Sequence, residues 1–173
     1  MSGSCPICQR SETHVTADSG QEMNRTECCV CGRFRIPNES PMAVATALQT
    51  PMDKAKLTRM IHKENDAGRV PILTTEVVEE ALRMTLPQKQ AMADELLRIL
   101  VERCPAIGKN AAVGNEEAMA RLGLTKPGVL QELMTDLERR DLFVPHRCMN
   151  GKVQGKPTSK GHDAVHRSVD STR

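Results

Sequence analysis

The chain has 173 residues and a formal net charge of +2, with seven cysteines, ten methionines, two Phe and neither Trp nor Tyr. This length suits one medium domain or two small ones, and the scarcity of aromatic side chains argues against binding of single-stranded nucleic acid by base stacking. No apolar run is long enough to span a membrane, nothing at the N-terminus has the pattern of a targeting peptide, and an odd number of cysteines fits a reducing compartment, so we expect a cytoplasmic protein.

The first motif along the chain is a pair of Cys-x-x-Cys knuckles. Cys5 and Cys8 form the first knuckle, and Cys28 and Cys31 form the second, which Gly32 follows. Two residues between thiolates allow one tight turn to present both sulfurs to a single ion, and two such knuckles are typical of tetrahedral zinc. Because four thiolates leave no open position for water, we expect one structural Zn²⁺ ion rather than a catalytic one.

Other ligand sets are compatible with the same residues. Cys29 could replace Cys28, although Cys28 makes the sterically relaxed Cys-x-x-Cys-Gly pattern and is therefore favoured. His14 could replace one of the thiolates. Two disulfides could also join these cysteines, but the odd number of cysteines and the lack of a signal peptide favour a metal.

Residues 1–37 resemble a zinc ribbon, in which two knuckles cap short antiparallel strands. The predicted strands lie at residues 14–16 and 33–36, with a turn at residues 18–20. A segment this short cannot bury enough apolar surface to fold unaided. Metal binding would supply the missing free energy, at roughly 10–16 kcal/mol for structural sites of this kind.

A helical connector is predicted over residues 42–84, after a linker at 37–41 that contains two prolines. Thr50, Pro51 and Asp53 form a helix start signal, with a capping hydroxyl, a proline at the first position and an acid in the first turn. This helix is expected to end near Gly68, and Thr74 or Thr75 is expected to cap a shorter helix. The pattern indicates no chemistry in this region.

Residues 85–170 are predicted to form the second folded region. A helix opens at Thr85-Leu86-Pro87, a loop covers residues 106–114, a short helix begins at Asn115, and Thr125-Lys126-Pro127 caps a longer helix. Short strands follow at residues 142–144 and at Val153, joined by a turn at Asn150-Gly151, which is a strong hairpin signal. A last amphipathic stretch begins near Thr158.

The order of these elements, with two helices, a turn, a third helix and a hairpin, is that of a winged helix-turn-helix. Residues 119–144, together with Lys156-Pro157-Thr158 and Lys160-Gly161, resemble the corresponding parts of MarR-type regulators, and the likeness covers roughly residues 88–169. It implies that the third helix enters the major groove of DNA and that the wing contacts phosphate. The positions implied on the helix are Thr125, Lys126, Gly128, Gln131, Glu132 and Thr135, and those on the wing are Arg147, Lys152 and Lys156.

We therefore expect an α+β protein, with a small zinc ribbon followed by a mainly helical winged helix-turn-helix domain. The residues from 142 onward carry six basic and two acidic side chains, which favours attraction to phosphate. The expected function is binding of double-stranded DNA, as a transcription regulator or accessory factor; the alternative is an adaptor that docks protein partners. No catalytic or nucleotide-binding motif is present, so we expect neither an enzyme nor a nucleotide cofactor.

Overall fold

The computed structural model describes residues 2–11, 13–17, 22–104, 106–146 and 151–170. Within these ranges the protein is mixed α+β, with seven helices and two small antiparallel sheets, which agrees with the expected fold class at that level. The elements are, in chain order, β1 (Ser2–Gly3), β2 (Thr13–Ala17), β3 (Met23–Cys28), β4 (Gly32–Pro37), α1 (Pro41–Ala47), α2 (Pro51–Asp66), α3 (Thr75–Arg83), α4 (Lys89–Glu102), β5 (Ala111–Gly114), α5 (Asn115–Leu122), α6 (Pro127–Arg139), β6 (Phe143–Pro145), β7 (Lys152–Pro157) and α7 (Ser159–Asp170).

The chain divides into two compact units. The first unit comprises Met1–Leu86 together with Gly123–Thr125, and the second comprises Pro87–Leu122 together with Lys126–Arg173. Residues 42–84, which the sequence predicts to be a connector, thus group with the cysteine-rich segment in the first unit.

The sheet of the first unit has strand order β1-β2-β3-β4, with every neighbour antiparallel. Thr26 lies opposite Phe34 on the buried face, and Arg25 lies opposite Arg35 on the outer face, because successive side chains of a strand alternate between faces. At the β4 edge, Ile72 forms a parallel bridge with Arg35. This short segment covers the edge that β4 would otherwise expose.

The predicted start of α2 is confirmed by a complete capping box. The Thr50 hydroxyl accepts a hydrogen bond from the Asp53 amide, the Asp53 carboxylate accepts one from the Thr50 amide, and Pro51 occupies the first turn. The helix ends at Asp66, just before Gly68 with its positive φ of 77°. The Thr74 hydroxyl caps α3 with a single hydrogen bond, which it accepts from the Val77 amide.

The second unit contains a three-stranded antiparallel sheet of order β5-β7-β6, so β7 lies at its centre. The expected loop at 106–114 is wrong for residues 111–114, which form β5 and pair with β7. Ala111 and Val113 are fully buried in this pairing. The run is too short to show a strand period in the sequence, and its pairing with distant residues determines its conformation.

Helix α4 packs against α6 and α7 in the second unit. Leu96 and Leu100 of α4, Leu133 and Leu137 of α6, and Phe143 of β6 are all buried, at the spacing that the sequence predicts for the inner faces of these helices. Helix α6 begins at Pro127 with Lys126 as its N-cap, one residue after the expected capping residue Thr125, and no side chain caps it. Among the described residues, every helix is too short or too polar to serve as a membrane span.

Candidate metal centre

The first knuckle is a tight turn that precedes β2. The Cys5 amide donates to the Arg10 carbonyl and the Gln9 amide donates to the Cys5 carbonyl, both at 2.8 Å. Gln9 adopts a positive φ of 63°, which reverses the chain immediately after Cys8. This local path brings the thiols of Cys5 and Cys8 to one side of the turn.

The second knuckle joins β3 to β4. Cys28 is the last residue of β3 and pairs with Gly32, the first residue of β4, so Cys31 lies inside the turn between them. Gly32 has a φ of 86°, a left-handed conformation that suits glycine and few other residues. The buried Cys28 belongs to the cluster, whereas its neighbour Cys29 is exposed. The sequence-based preference for Cys28 over Cys29 therefore agrees with the structure.

The Sγ atoms of Cys5, Cys8, Cys28 and Cys31 all lie within 4.8 Å of one another. The Cys8 and Cys28 sulfurs are 3.5 Å apart, far longer than a disulfide bond. Four sulfurs bound tetrahedrally at about 2.3 Å from one ion would be about 3.8 Å apart. The four side chains can thus hold a metal ion with only small movements. His14 is exposed on β2 and is not part of the cluster.

The four thiol groups perturb one another through shared hydrogen bonds. The bond with Cys28 raises the pKa of the Cys5 thiol to about 12, and the bond with Cys28 also raises the pKa of Cys31. Hydrogen bonding with Cys31 lowers the pKa of Cys8 to about 7 and lowers the pKa of Cys28 as well. Without a cation, two members of the cluster hold their protons while two favour the thiolate. A bound divalent cation stabilises all four as thiolates.

Helix α2 supports the second knuckle through two polar side chains. The Nε2 atom of His62 lies 2.7 Å from the Val30 carbonyl oxygen and donates to it, because a carbonyl oxygen can only accept. Asn65 accepts from the Arg33 amide at 2.7 Å and donates to the Arg33 carbonyl at 2.8 Å. The backbone on both sides of Cys31 is thereby fixed to α2.

The residues on α2 also limit what can occupy the turn. A Cβ atom placed on Gly32 would lie 2.7 Å from the Asn65 Oδ1 atom and 3.2 Å from the Ile61 Cγ2 atom. Only glycine leaves room for this close approach between knuckle and helix. The second Cys-x-x-Cys-Gly motif is therefore shaped by tertiary packing as well as by its own backbone.

The cysteine cluster belongs to a larger hydrophobic core. Cys5, Cys28 and Cys31 pack in one buried cluster that extends into α1, α2 and α3. Phe34, Leu57, Ile61 and Leu73 are completely buried members of it. The cysteine cluster thus forms one side of the hydrophobic core of the first unit. A metal ion bound there would stabilise the packing of the helices as well as the two knuckles.

His62 and Asn65 were not among the predicted functional residues, and they lie in a region where the sequence pattern indicates no chemistry. A weak signal was present, since His62 and Asn65 are three residues apart and share one helix face with the apolar residues Ala55 and Ile61. Their partners, however, lie 32 residues away along the chain. No local pattern reveals such a contact.

The predicted DNA-contacting residues do not gather at one place in the structure. Gln131 and Lys152 line one cleft of 730 Å³, bounded by α6 and by β6 and β7. Gln131 and Thr135 line a second cleft of 330 Å³ beside α4, and the Thr135 hydroxyl donates to the Gln131 carbonyl. Lys156 is exposed on β7, and Lys126 precedes α6. Thr125 groups with the first unit, and Arg147 lies outside the described residues.

Acidic side chains on α6 are paired with basic side chains of the second unit. Lys89 of α4 donates to the Glu132 carboxylate. Arg140 bonds Asp136 at 3.3 Å and also bonds Asp94 at 2.7 Å. The exposed side of α6 is consequently less negative than its sequence alone indicates.

Comparison with known protein families, with characterised proteins and with solved structures finds no match to this chain.

Proposed function

We propose that this protein is a zinc-containing, DNA-binding protein, in which the first unit holds one structural zinc ion and the second unit binds double-stranded DNA as a winged helix-turn-helix. Its role would be that of a transcription regulator or an accessory factor. We infer a binding protein rather than an enzyme, because the four thiolates of the candidate metal centre would leave no coordination position for a substrate.

Zinc is the preferred ion because of the donor set. Four cysteine sulfurs with tetrahedral spacing favour zinc over the harder cations calcium and magnesium, which take oxygen ligands. Bound zinc would supply structural cross-linking of the two knuckles, and the ribbon-like strands β1 to β4 would surround it. His62 and Asn65 would hold the second knuckle in its binding conformation.

The element order α4-β5-α5-α6-β6-β7 supports a winged helix-turn-helix in the second unit. Helices α5 and α6 would be the helix pair, and β6 and β7 would form the wing beside β5. In this class of domain the third helix enters the major groove and the wing contacts the backbone. Helix α6 would then be the recognition helix.

The observation that carries the DNA proposal is that Gln131 of α6 and Lys152 of β7 line the same cleft. An amide that can read a base edge and a lysine that can bind phosphate thus lie on one side of the second unit. Lys156 is exposed on the same face of β7 as Lys152, because residues an even number apart share a face. The pairing of Glu132 with Lys89 reduces repulsion between α6 and phosphate.

Binding to duplex DNA at increasing salt concentration tests this proposal. A protein that makes about four to six phosphate contacts should show a log–log slope of about −4 to −5. Lys152→Ala and Lys156→Ala should each reduce the slope by about 1, whereas Lys54→Ala, in the first unit, should leave it unchanged. The proposal would be contradicted if the protein did not bind DNA at low salt. It would also be contradicted if neither lysine substitution changed the slope.

A further inference from the structure

The four sulfurs of the candidate metal centre differ in their access to solvent. Cys5 and Cys31 are completely buried, and Cys28 is only 6% exposed. Cys8 is half-buried, and the two residues that follow it in the chain are exposed. Cys8 is thus the member of the cluster that a reagent in solution reaches first.

A second sulfur lies close to Cys8. The Sγ atoms of Cys8 and Cys28 are 3.5 Å apart. In a disulfide the same distance is about 2.05 Å, so the two atoms would have to approach each other by about 1.5 Å. Cys28 ends β3 and belongs to the other knuckle, so a bond between these two sulfurs removes one ligand from each knuckle.

The first knuckle can supply this movement. Its closing backbone hydrogen bonds join residues within the turn at 5–10. The second knuckle is bonded to α2 through His62 and Asn65. A small shift of the first turn therefore brings Cys8 toward Cys28 while the second knuckle keeps its place on the helix.

Cys8 has the properties of a cysteine that is sensitive to oxidation. Such residues combine thiolate character, exposure to solvent and a second thiol nearby. A sulfur bound to a metal ion is a thiolate, which is the reactive form of cysteine. Cys29 is also exposed, but it lies outside the cluster, so its oxidation leaves all four ligands in place.

We propose that Cys8 is the site at which a hydroperoxide oxidises this centre, that Cys28 then forms a disulfide with it, and that the metal ion is released as a result. The inference rests on the structural zinc ion of the proposed function. It makes that ion a reversible cross-link of the first unit, removed by oxidation and restored by reduction.

The reaction balances with hydrogen peroxide as the oxidant. The Cys8 thiolate attacks one peroxide oxygen, the O–O bond breaks, and hydroxide leaves and is protonated to water, so that Cys8 becomes a sulfenic acid. The Cys28 thiolate then attacks the Cys8 sulfur, the S–O bond breaks, and a second hydroxide leaves as water while the S–S bond forms. Two thiolates, one peroxide and two protons thus give one disulfide and two waters. Cys5 and Cys31 remain, and two thiolates do not complete a tetrahedral structural site.

Zinc release and disulfide mapping on the full, zinc-loaded chain test the proposal together. Zinc content is measured first, hydrogen peroxide is added in small molar excess, and a chromophoric chelator follows the released ion. Mass spectrometry of the alkylated and digested protein locates the disulfide. Cys8→His is the test variant, because histidine keeps a zinc ligand at this position but cannot form a disulfide. Cys29→Ser is the matched control, since Cys29 is an exposed thiol of the same unit outside the cluster.

We expect release of one zinc ion per chain, a disulfide between Cys8 and Cys28, and recovery of zinc binding when a thiol reductant and zinc are added. Cys29→Ser should release zinc at an unchanged rate, and Cys8→His should release it about tenfold more slowly. If Cys8→His fails to bind zinc, the disulfide mapped in the unchanged chain decides the question.

Three results would overturn the proposal. Peroxide could oxidise Cys29 while zinc stays bound, the disulfide could join another pair of cysteines, or Cys8→His could lose zinc as fast as the unchanged chain. A chain that holds no zinc before peroxide is added would refute the zinc site of the proposed function and this inference with it. Zinc that is held and then not released by peroxide would refute this inference alone.

Discussion

The His62 imidazole donates a hydrogen bond to the Val30 carbonyl across 2.7 Å, and this bond ties helix α2 to the loop that presents Cys31. His62 is buried and Val30 is half-buried, so removing the imidazole deletes both this hydrogen bond and the packing of a buried ring. The bond therefore links the candidate metal centre to the helices of the first unit.

Substitution His62→Ala should lower the free energy of unfolding of the first unit by about 1–3 kcal/mol, because it removes a hydrogen bond together with the packing of a buried side chain. Chemical denaturation of the metal-loaded protein measures the change. His14→Ala is the matched control, since His14 is exposed on β2 of the same unit. Equal stability of the two variants would show that the contact does not support the fold.

Substitutions at two glycines with similar positive φ distinguish the cost of backbone strain from the cost of a steric clash at the new Cβ atom. Gly68→Ala should cost about 1–2 kcal/mol, because φ is 77° but no atom lies within 4 Å of the new Cβ. Gly32→Ala should cost about 1–3 kcal/mol beyond that, because its Cβ would meet Asn65 and Ile61. Thermal unfolding of both variants gives the difference, and equal losses would contradict close packing of the second knuckle against α2.

Metal affinity should rise with pH around neutrality. The raised pKa values of Cys5 and Cys31 mean that an incoming ion must displace protons from both, so log K should rise by about two per pH unit. Below the pKa of Cys8, about 7, a third proton is displaced and the slope should steepen. Competition with a chromophoric chelator at several pH values measures this slope, and an affinity independent of pH would rule out thiol ligands.

The ion pair between Lys89 and Glu132 should favour DNA binding by neutralising an acid on α6. Lys89→Ala exposes the carboxylate to phosphate and should weaken binding by up to about fivefold, equivalent to about 1 kcal/mol for an exposed pair. Adding Glu132→Gln should restore the affinity. If the double variant binds as weakly as Lys89→Ala, then Lys89 contacts DNA directly and does not act by neutralising Glu132.

The features that the sequence predicts well are those set by neighbouring residues. The Cys-x-x-Cys spacing defines a turn that presents two sulfurs, and Thr50, Pro51 and Asp53 define a helix start within four residues. Each depends on backbone geometry over one turn of chain. The cluster of Cys5, Cys8, Cys28 and Cys31 and the position of α2 were therefore predictable.

The features that escape prediction depend on contacts between distant segments. Strand β5 is only four residues long, and it is a strand because Ala111 and Val113 pair with residues of β7. The contacts of His62 and Asn65 with the knuckle exist only after α2 docks on the sheet. Nor could the sequence show that the sulfurs share a core with helices α1 to α3.

We expect one metal ion to bind Cys5, Cys8, Cys28 and Cys31 together. Cobalt(II) titration of the reduced, metal-free protein tests it most directly, because tetrahedral thiolate coordination gives intense charge-transfer and visible bands. We expect these bands at a ratio of one cobalt ion to one protein chain. They should be retained in Cys29→Ser, be markedly reduced in Cys31→Ser and be lost when zinc displaces cobalt. Weak bands typical of octahedral cobalt, or bands that survive Cys31→Ser and vanish in Cys29→Ser, would contradict it.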